Sequence, residues 1–286
     1  MTEAEFIAAL RTLPLAPGAE GLADDCATLA LGGETLVLTH DAIAEGVHYL
    51  PGTDPADVAW KLVAVNLSDL AAKGAEPLGV LIGAALIEGS ERFVEGLRAI
   101  LEAYGVPLLG GDTIALKPGT PATFGCTAIG RATVTPVPTR AGARPGDALF
   151  VAGTIGAAML GFRAGDGEAY LRPRPLLAEG RALASHVHAM MDVSDGLLLD
   201  ARRMAEASGC TAMLSLDAFP FAPGVAREDR IAAASWGDDY ALLFAAPAGF
   251  EPPVPVVQVG SMAEKGPASL LLDGAKPPEK LGYEHG

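Results

Sequence analysis

Apolar positions recur at helical spacing most clearly in the stretch TDPADVAWKLVAVNLSDLAAKG, which ends at Gly74. Ala59, Leu62, Val63, Leu67 and Leu70 fall on one stripe and predict a core-facing helix. Its ends are marked. Asp54 is a good N-cap, Pro55 suits the first helical position, Asp57 adds negative charge in the first turn, and Gly74 tolerates positive φ after Lys73. Asn66 and Asp69 are three apart and share a face. A lone Asp there reads more readily as a solvated charge, but the preceding segment LVLTHDAIAEGVHY adds a second acid. It predicts an apolar strand over Thr35–Thr39 that ends on Thr39, His40 and Asp41. The strand end and the helix can bring Asp41 and Asp69 together, and two close carboxylates ask for a cation.

The rest of the pattern alternates between the two periods. Phe6, Ala9, Leu10 and Leu13 predict a short amphipathic helix over residues 2–13, and LADDCATLAL places the pair Asp24–Asp25 before an alternating strand. Leu78–Leu86 reads as a buried strand. Ser90 caps a helix with Phe93, Leu97, Ile100 and Tyr104 on one stripe, and VPLL runs as a strand into Gly110, Gly111, Asp112 and Thr113. Two glycines before an acid let backbone approach a ligand, or simply make a tight turn. A strand over Ala122–Thr133 follows.

The Pro- and Gly-rich TPVPTRAGARPGD (Thr135–Asp147) is the linker candidate. Beyond it come a strand ALFVAG, helices over Ile155–Phe162 and from Leu176 to about Val187, and the acidic turn of MMDVSDG. In that turn Ser194 or Asp195 serves as N-cap of a helix ending at Gly209, while Asp192 lies in the strand, where Asp is disfavoured. A strand over Thr211–Leu216, a short helix over Val225–Ala234, the strand entry WGDDYALLF and a final strand PVVQVG complete the chain. Strands and helices in mixed order predict an α+β fold. With 286 residues, two domains are expected, 1–136 and 137–286.

Composition narrows the function classes. A net charge of −15 argues against nucleic acid as a partner, although bound Mg²⁺ can invert the local sign for a nucleotide. Three widely spaced cysteines with no CxxC pair suit a reducing cytoplasm. An acidic N-terminus does not read as a secretory signal, and the uncharged run Ala148–Phe162 is too short for a membrane span. His186 and His188, two apart, would face away from each other on a helix.

Asp25, Asp41, Asp69, Asp112, Asp192 and Asp195 thus form a set of carboxylates at strand ends and helix starts in both halves. The chain has no Walker loop and no kinase HRD or DFG motif, so phosphate chemistry would depend on carboxylate-held Mg²⁺. Together with DDCATL, THDAIAEGVHY, AVNLSDLAAKGA, GGDT, TRAGARPGD, DVSDGLLLD, GDDYAL and GYEHG, in that order, these residues make the chain resemble thiamine-monophosphate kinase, in the superfamily of AIR synthetase-like ATP-binding proteins.

The resemblance implies a homodimer in which N-terminal domains pair into a β-barrel, and a C-terminal α+β domain with ATP between. It implies several Mg²⁺ ions on Asp25, Asp41, Asp69, Asp112, Asp192 and Asp195, with Thr39 and His40 at further metal contacts. Gly111, Asp112, Arg140 and Ser194 match ATP-contacting positions, and His48, Asp238 and Tyr283 match positions that hold thiamine monophosphate. The implied product is thiamine diphosphate, formed by direct in-line transfer without a catalytic base. Three departures stand out: Ala23 and His40 occupy positions usually held by Gly and Thr, and Asp238 stands where Glu is common. The competing readings are a purine cyclo-ligase type of ATP-using enzyme, or a non-catalytic relic that binds nucleotide and metal.

Overall fold

A computed structural model gives the fold over residues 2–117, 119–165 and 167–284. It is α+β, with two sheets. The first holds β1 (Ala27–Leu31), β2 (Glu34–Ala44), β3 (Ala75–Leu86), β4 (Leu108–Ala115) and β5 (Thr123–Ala132), in the order β1-β2-β5-β3-β4. The second holds β6 (Ala148–Ala152), β7 (Ala189–Val193), β8 (Cys210–Leu214), β9 (Ala241–Ala246), β10 (Val257–Glu264) and β11 (Leu270–Leu272), in the order β11-β8-β10-β6-β9-β7.

Between the sheets runs the best-marked helix of the sequence. After α1 (Glu3–Leu10), α2 spans Pro55–Ala72, and the Asp54 carboxylate accepts the Ala56 N–H at 2.9 Å. The predicted stripe of Ala59, Leu62, Val63, Leu67 and Leu70 is wholly buried. So is the opposite side: Lys61, Asn66, Ser68 and Asp69 are buried as well. The helix is enclosed because α3 (Ser90–Tyr104) and the first sheet pack on one side of it, and elements of the second half on the other. Two glycines make this possible. A Cβ on Gly96 of α3 would fall 2.2 Å from the Ala56 carbonyl oxygen, and one on Gly180, in a helix of the second half, would fall 2.0 Å from that of Ala71. Both obstacles are backbone, so Gly180→Ala is expected to lower stability by about 1–3 kcal/mol, read as a lower midpoint in denaturant at unchanged slope.

The second half adds α4 (Ala157–Ala164), α5 (Glu168–Leu171), α6 (Leu177–Leu183), α7 (Leu197–Ser208) and α8 (Arg230–Ala234). Its sheet is covered on both faces, and strand alternation sorts the side chains. Ala148, Phe150 and Ala152 of β6 join the core around α2, while Leu149 and Val151 join the core under α7.

Several sequence expectations need correction. β2 does not stop near Thr39 but continues through Asp41 to Ala44, because its pairing with β5 extends to Ala44↔Thr123. Ser90 is not a cap: Gly89 holds the N-cap position in the left-handed region, and Ser90 exchanges hydrogen bonds with the Ile87 backbone. The helix begun near Leu176 ends at Leu183, only Arg230–Ala234 of the helix expected over Val225–Ala234 is α-helical, and α5 and β11 were not anticipated. Phe6 and Leu13 of the first amphipathic stretch stay exposed. Among the described residues no helix is long and apolar enough to cross a membrane. The last two residues of GYEHG lie outside the described residues.

Candidate active site

α2 carries the centre of the site on the face that meets β2 and β7. Asp69 and Ser68 are adjacent there and divide their partners between the halves of the molecule. The Thr39 hydroxyl of β2 donates to Asp69 Oδ2, and the Ser68 hydroxyl donates to Asp192 Oδ2 of β7 at 2.6 Å. One turn earlier, Asn66 accepts the Asp41 N–H at 3.0 Å and so fixes β2 against the helix. Asp25, from the turn before β1, completes the group: one ligand oxygen each from Asp25, Asp69 and Asp192 lies within 4.8 Å of the others. Among the described residues no donor reaches the buried Asp25 Oδ2.

Three cations flank this acid group, and one of them, Arg140, pairs with a member of it. Buried Lys73, at the end of α2, pairs with Asp24 at 2.7 Å. Arg140 pairs with Asp25, and its own N–H donates to Asp24 at 3.0 Å. The expected linker is therefore fastened to the acidic pair at this point. Arg203 of α7 pairs with Asp195 and, at 3.1 Å, with Asp200, whose carboxylate accepts the Asp195 N–H. Neither Ser194 nor Asp195 caps α7; Gly196 holds that position without a side-chain bond. Asp200 is the partner that shapes the acidic turn, as the helix spacing from Asp200 to Arg203 could have suggested.

The turn Gly237–Tyr240 is laid against the same place by backbone bonds. Asp238 N–H donates to Ser194 O at 2.7 Å and Tyr240 N–H to Val193 O at 2.9 Å, while Tyr283 N–H donates to Asp195 O at 2.9 Å. Asp238 and Tyr240 have φ of 59° and 50°, a region that costs side-chain-bearing residues energy and persists where surroundings enforce it. The two acids of this turn have different partners. Asp239 accepts the N–H groups of Gly156 and Ala158 and thereby caps α4. Asp238 pairs with buried Lys61 at 2.9 Å and accepts the Tyr240 hydroxyl at 3.0 Å. The expected acceptor residue His48 is close by through its backbone, since Lys61 also donates to its carbonyl.

Two expected ligands are not brought to the group. The His40 imidazole lies on the exposed face of the sheet, bonded to Thr127 across the strand pair, because it alternates with inward Thr39 and Asp41. A metal contact at His40 would have to come from its backbone. Asp41, Cys126, Ile82 and Gly111 form one row across β2, β5, β3 and β4, three strand spacings or about 14 Å long. Gly111 and Asp112 are thus at the far edge of the sheet from Asp41 within one chain. A Cβ on Gly111 would lie 1.9 Å from the Ile82 carbonyl oxygen, which accounts for glycine there.

Burial raises several carboxyls in and around the group. Asp69 and Asp192 are pushed well above the ordinary range, first by burial and then by Asp41 and Asp25 respectively. Burial, aided by Asp25, lifts Asp41 to about 6, and burial lifts Asp200 and Asp239 to about 7. Each holds its proton more tightly folded than unfolded. Their stabilising contribution is therefore complete below the unfolded pKa near 4 and is lost as pH rises through about 6–7. In EDTA the melting temperature should fall by at least about 4 °C between pH 5.5 and pH 8. A flat or rising profile would contradict this electrostatic description.

Family models for AIR synthase related protein match this chain, the N-terminal domain over residues 23–132 and the C-terminal domain over 144–251. The thiamine-monophosphate kinase of Caulobacter vibrioides is 36% identical, over 94% of this chain and 86% of its own length. A solved structure of AaThiL complexed with AMPPCP and TMP superposes with a TM-score of 0.87 at 27% identity, covering 99% of this chain and 97% of that one. The crystal structure of thiamine-monophosphate kinase from Stenotrophomonas maltophilia K279a gives 0.77 at 31% identity, over 95% of each chain.

Proposed function

The chain belongs to the thiamine-monophosphate kinase family, and from that premise we propose that it phosphorylates thiamine monophosphate with ATP, giving thiamine diphosphate and ADP. The observation that carries this reading is the convergence of half-buried Asp25 with buried Asp69 and Asp192, acids from both halves, on one small volume. Oxygen-only donors, one of them a buried oxygen without a partner, fit Mg²⁺, a hard cation that takes carboxylate and phosphate oxygens. Asp25, Asp69 and Asp192 would hold it, with Asp41 beside them and Asp195 at the rim. When bound, Mg²⁺ offsets the charge of the phosphate oxygens; unscreened, one pair of unit charges at 4 Å repels by about 4 kcal/mol at an effective dielectric of 20.

The chain's own residues supply position. Ser68, Thr39 and Asn66 fix the two acids and β2 by hydrogen bonds, so the site is arranged before the substrates arrive. Arg140 and Ser194 flank the acids where ATP phosphates would lie, and His48, Asp238 and Tyr283 form the acceptor side. An acceptor phosphate oxygen forms the new bond to the γ-phosphorus while the bond to the β–γ bridging oxygen breaks and ADP leaves. The attacking oxygen is already deprotonated at neutral pH, so no residue need act as a base. The three cysteines are free and buried, which suits a cytoplasmic enzyme.

A second copy of the chain completes this reading. All eight residues of edge strand β4 are exposed, among them Leu108, Leu109 and Ile114, and Leu29 and Leu31 are exposed on the opposite edge. Such edges invite pairing with another chain, here into a shared barrel. Since Asp112 cannot reach Asp41 within one chain, its carboxylate would serve the partner's site.

An ADP-release assay decides the activity. Release should require thiamine monophosphate and Mg²⁺ together, and ATP binding by calorimetry should vanish in EDTA. Mg²⁺-dependent ATP binding with no acceptor-dependent ADP release would identify a relic instead.

A further inference from the structure

Lys61 is among the largest wholly buried side chains, and nothing in the phosphate chemistry uses it. Its ammonium donates to Asp238 Oδ2 and to the His48 carbonyl, each at 2.9 Å, and lies 4.0 Å from the centre of the Tyr170 ring. The Tyr170 hydroxyl donates to the same His48 carbonyl at 3.1 Å. The other carboxylate oxygen of Asp238 accepts from Tyr240. One cation therefore joins α2, the His48 segment, α5 and the strained Gly237–Tyr240 turn.

We propose that Lys61 is the positioning residue of the acceptor pocket, holding the Asp238 carboxylate and the His48 segment in the geometry that receives thiamine monophosphate. The inference rests on reading Asp238 as an acceptor contact. Within the pair the Lys61 side chain is 2% exposed and that of Asp238 26%, so Lys61 stands behind Asp238, which is the member open to solvent. A bare carboxylate would attract cations of many shapes. Backed by Lys61 the pair is neutral overall, and it recognises its ligand by where a hydrogen bond is accepted. Asp238 is also one methylene shorter than Glu, so its reach depends more closely on how its backbone and partners hold it.

A purely mechanical role, tying the halves together, is already filled next door. Arg172 pairs with Asp57 at 2.6 Å, and the Trp60 indole N–H donates to the Pro173 carbonyl at 3.1 Å. A buried ion pair is also a poor choice for mere cohesion, since well-packed apolar residues of similar volume serve as well or better.

The test compares Lys61→Met, Asp238→Asn and the double variant by steady-state kinetics. Each single change should raise KM for thiamine monophosphate about tenfold while KM for ATP stays within about twofold. Because Lys61 acts through Asp238, the double variant should resemble Asp238→Asn, well short of the roughly hundredfold product of independent effects. Should Lys61→Met alone be too unstable to assay, the double variant, which leaves no buried charge unpaired, is compared with Asp238→Asn directly. Equal acceptor KM values there support the proposal, and a further tenfold rise overturns it. An Asp238→Asn enzyme with unchanged acceptor KM overturns both the inference and the acceptor reading beneath it. A raised KM in Asp238→Asn with none in Lys61→Met, or equal changes in both substrates' constants, overturns the role of Lys61 alone.

Discussion

Asp69→Asn is expected to abolish turnover, by about 10³-fold or more, in a protein that folds as well as the original. Asp69 is wholly enclosed between β2 and β7, and its acidity is already suppressed by burial and by its neighbouring acids. Asparagine keeps an oxygen to accept the Thr39 hydroxyl and removes one charge from a crowded group. In EDTA at pH 8 its melting temperature should equal or exceed that of the parent. Added Mg²⁺ should raise the melting temperature of the parent and scarcely move the variant, because binding stabilises only a state that binds. Near-normal turnover in saturating Mg²⁺ would remove Asp69 from the metal site. A large loss of stability in EDTA would mean that it serves the fold.

Asp112 gives the second large effect, and mixing variants tells which chain it serves. Asp69→Asn and Asp112→Asn should each be inactive alone. If Asp112 acts on the partner's site, a mixed dimer of the two variants contains one site with both acids intact. Random pairing makes half the dimers mixed, so co-refolded or co-expressed variants should recover about one quarter of the parent activity. A mixture no more active than its components would place Asp112 outside the partner's site. A monomer in solution at micromolar concentration would remove the second copy altogether.

Much of this was legible in sequence because local signals and tertiary demands agreed. α2 begins and ends where its cap, proline and glycine say, and its stripe is the core. The family followed from motifs and the α+β class from the mixed order of strands and helices, and of the expected acids Asp25, Asp69 and Asp192 come together in the structure. What escaped was the polar interior. Lys61 lies on a helix that period alone presents as one-sided, and it is Asp238 and Tyr170 of the second half that meet it on the other side. Asp239 escaped for a similar reason, since it accepts backbone N–H groups of a distant segment, whereas Asp200 bonds its near neighbours Asp195 and Arg203. The length of β2 depended on pairing with β5, some eighty residues on, and no local signal encodes that. Strand parity could have flagged His40, because a side chain adjacent to inward Thr39 must point outward.

The core around α2 does not respect the boundary between the two halves. It runs without a break from Val37 and Phe124 of the first sheet, through Leu62 and Leu67, to Leu183 of α6 and Phe150, Met190 and Phe244 of the second sheet. Neither half can melt without exposing the apolar surface that the other half covers. Unfolding should therefore be one cooperative transition, with the calorimetric enthalpy matching the van't Hoff value for the whole chain. Residues 1–136 expressed alone would carry α2 with one side stripped, and such a fragment should collect as a collapsed, aggregation-prone species until residues 137–286 are supplied to it in trans.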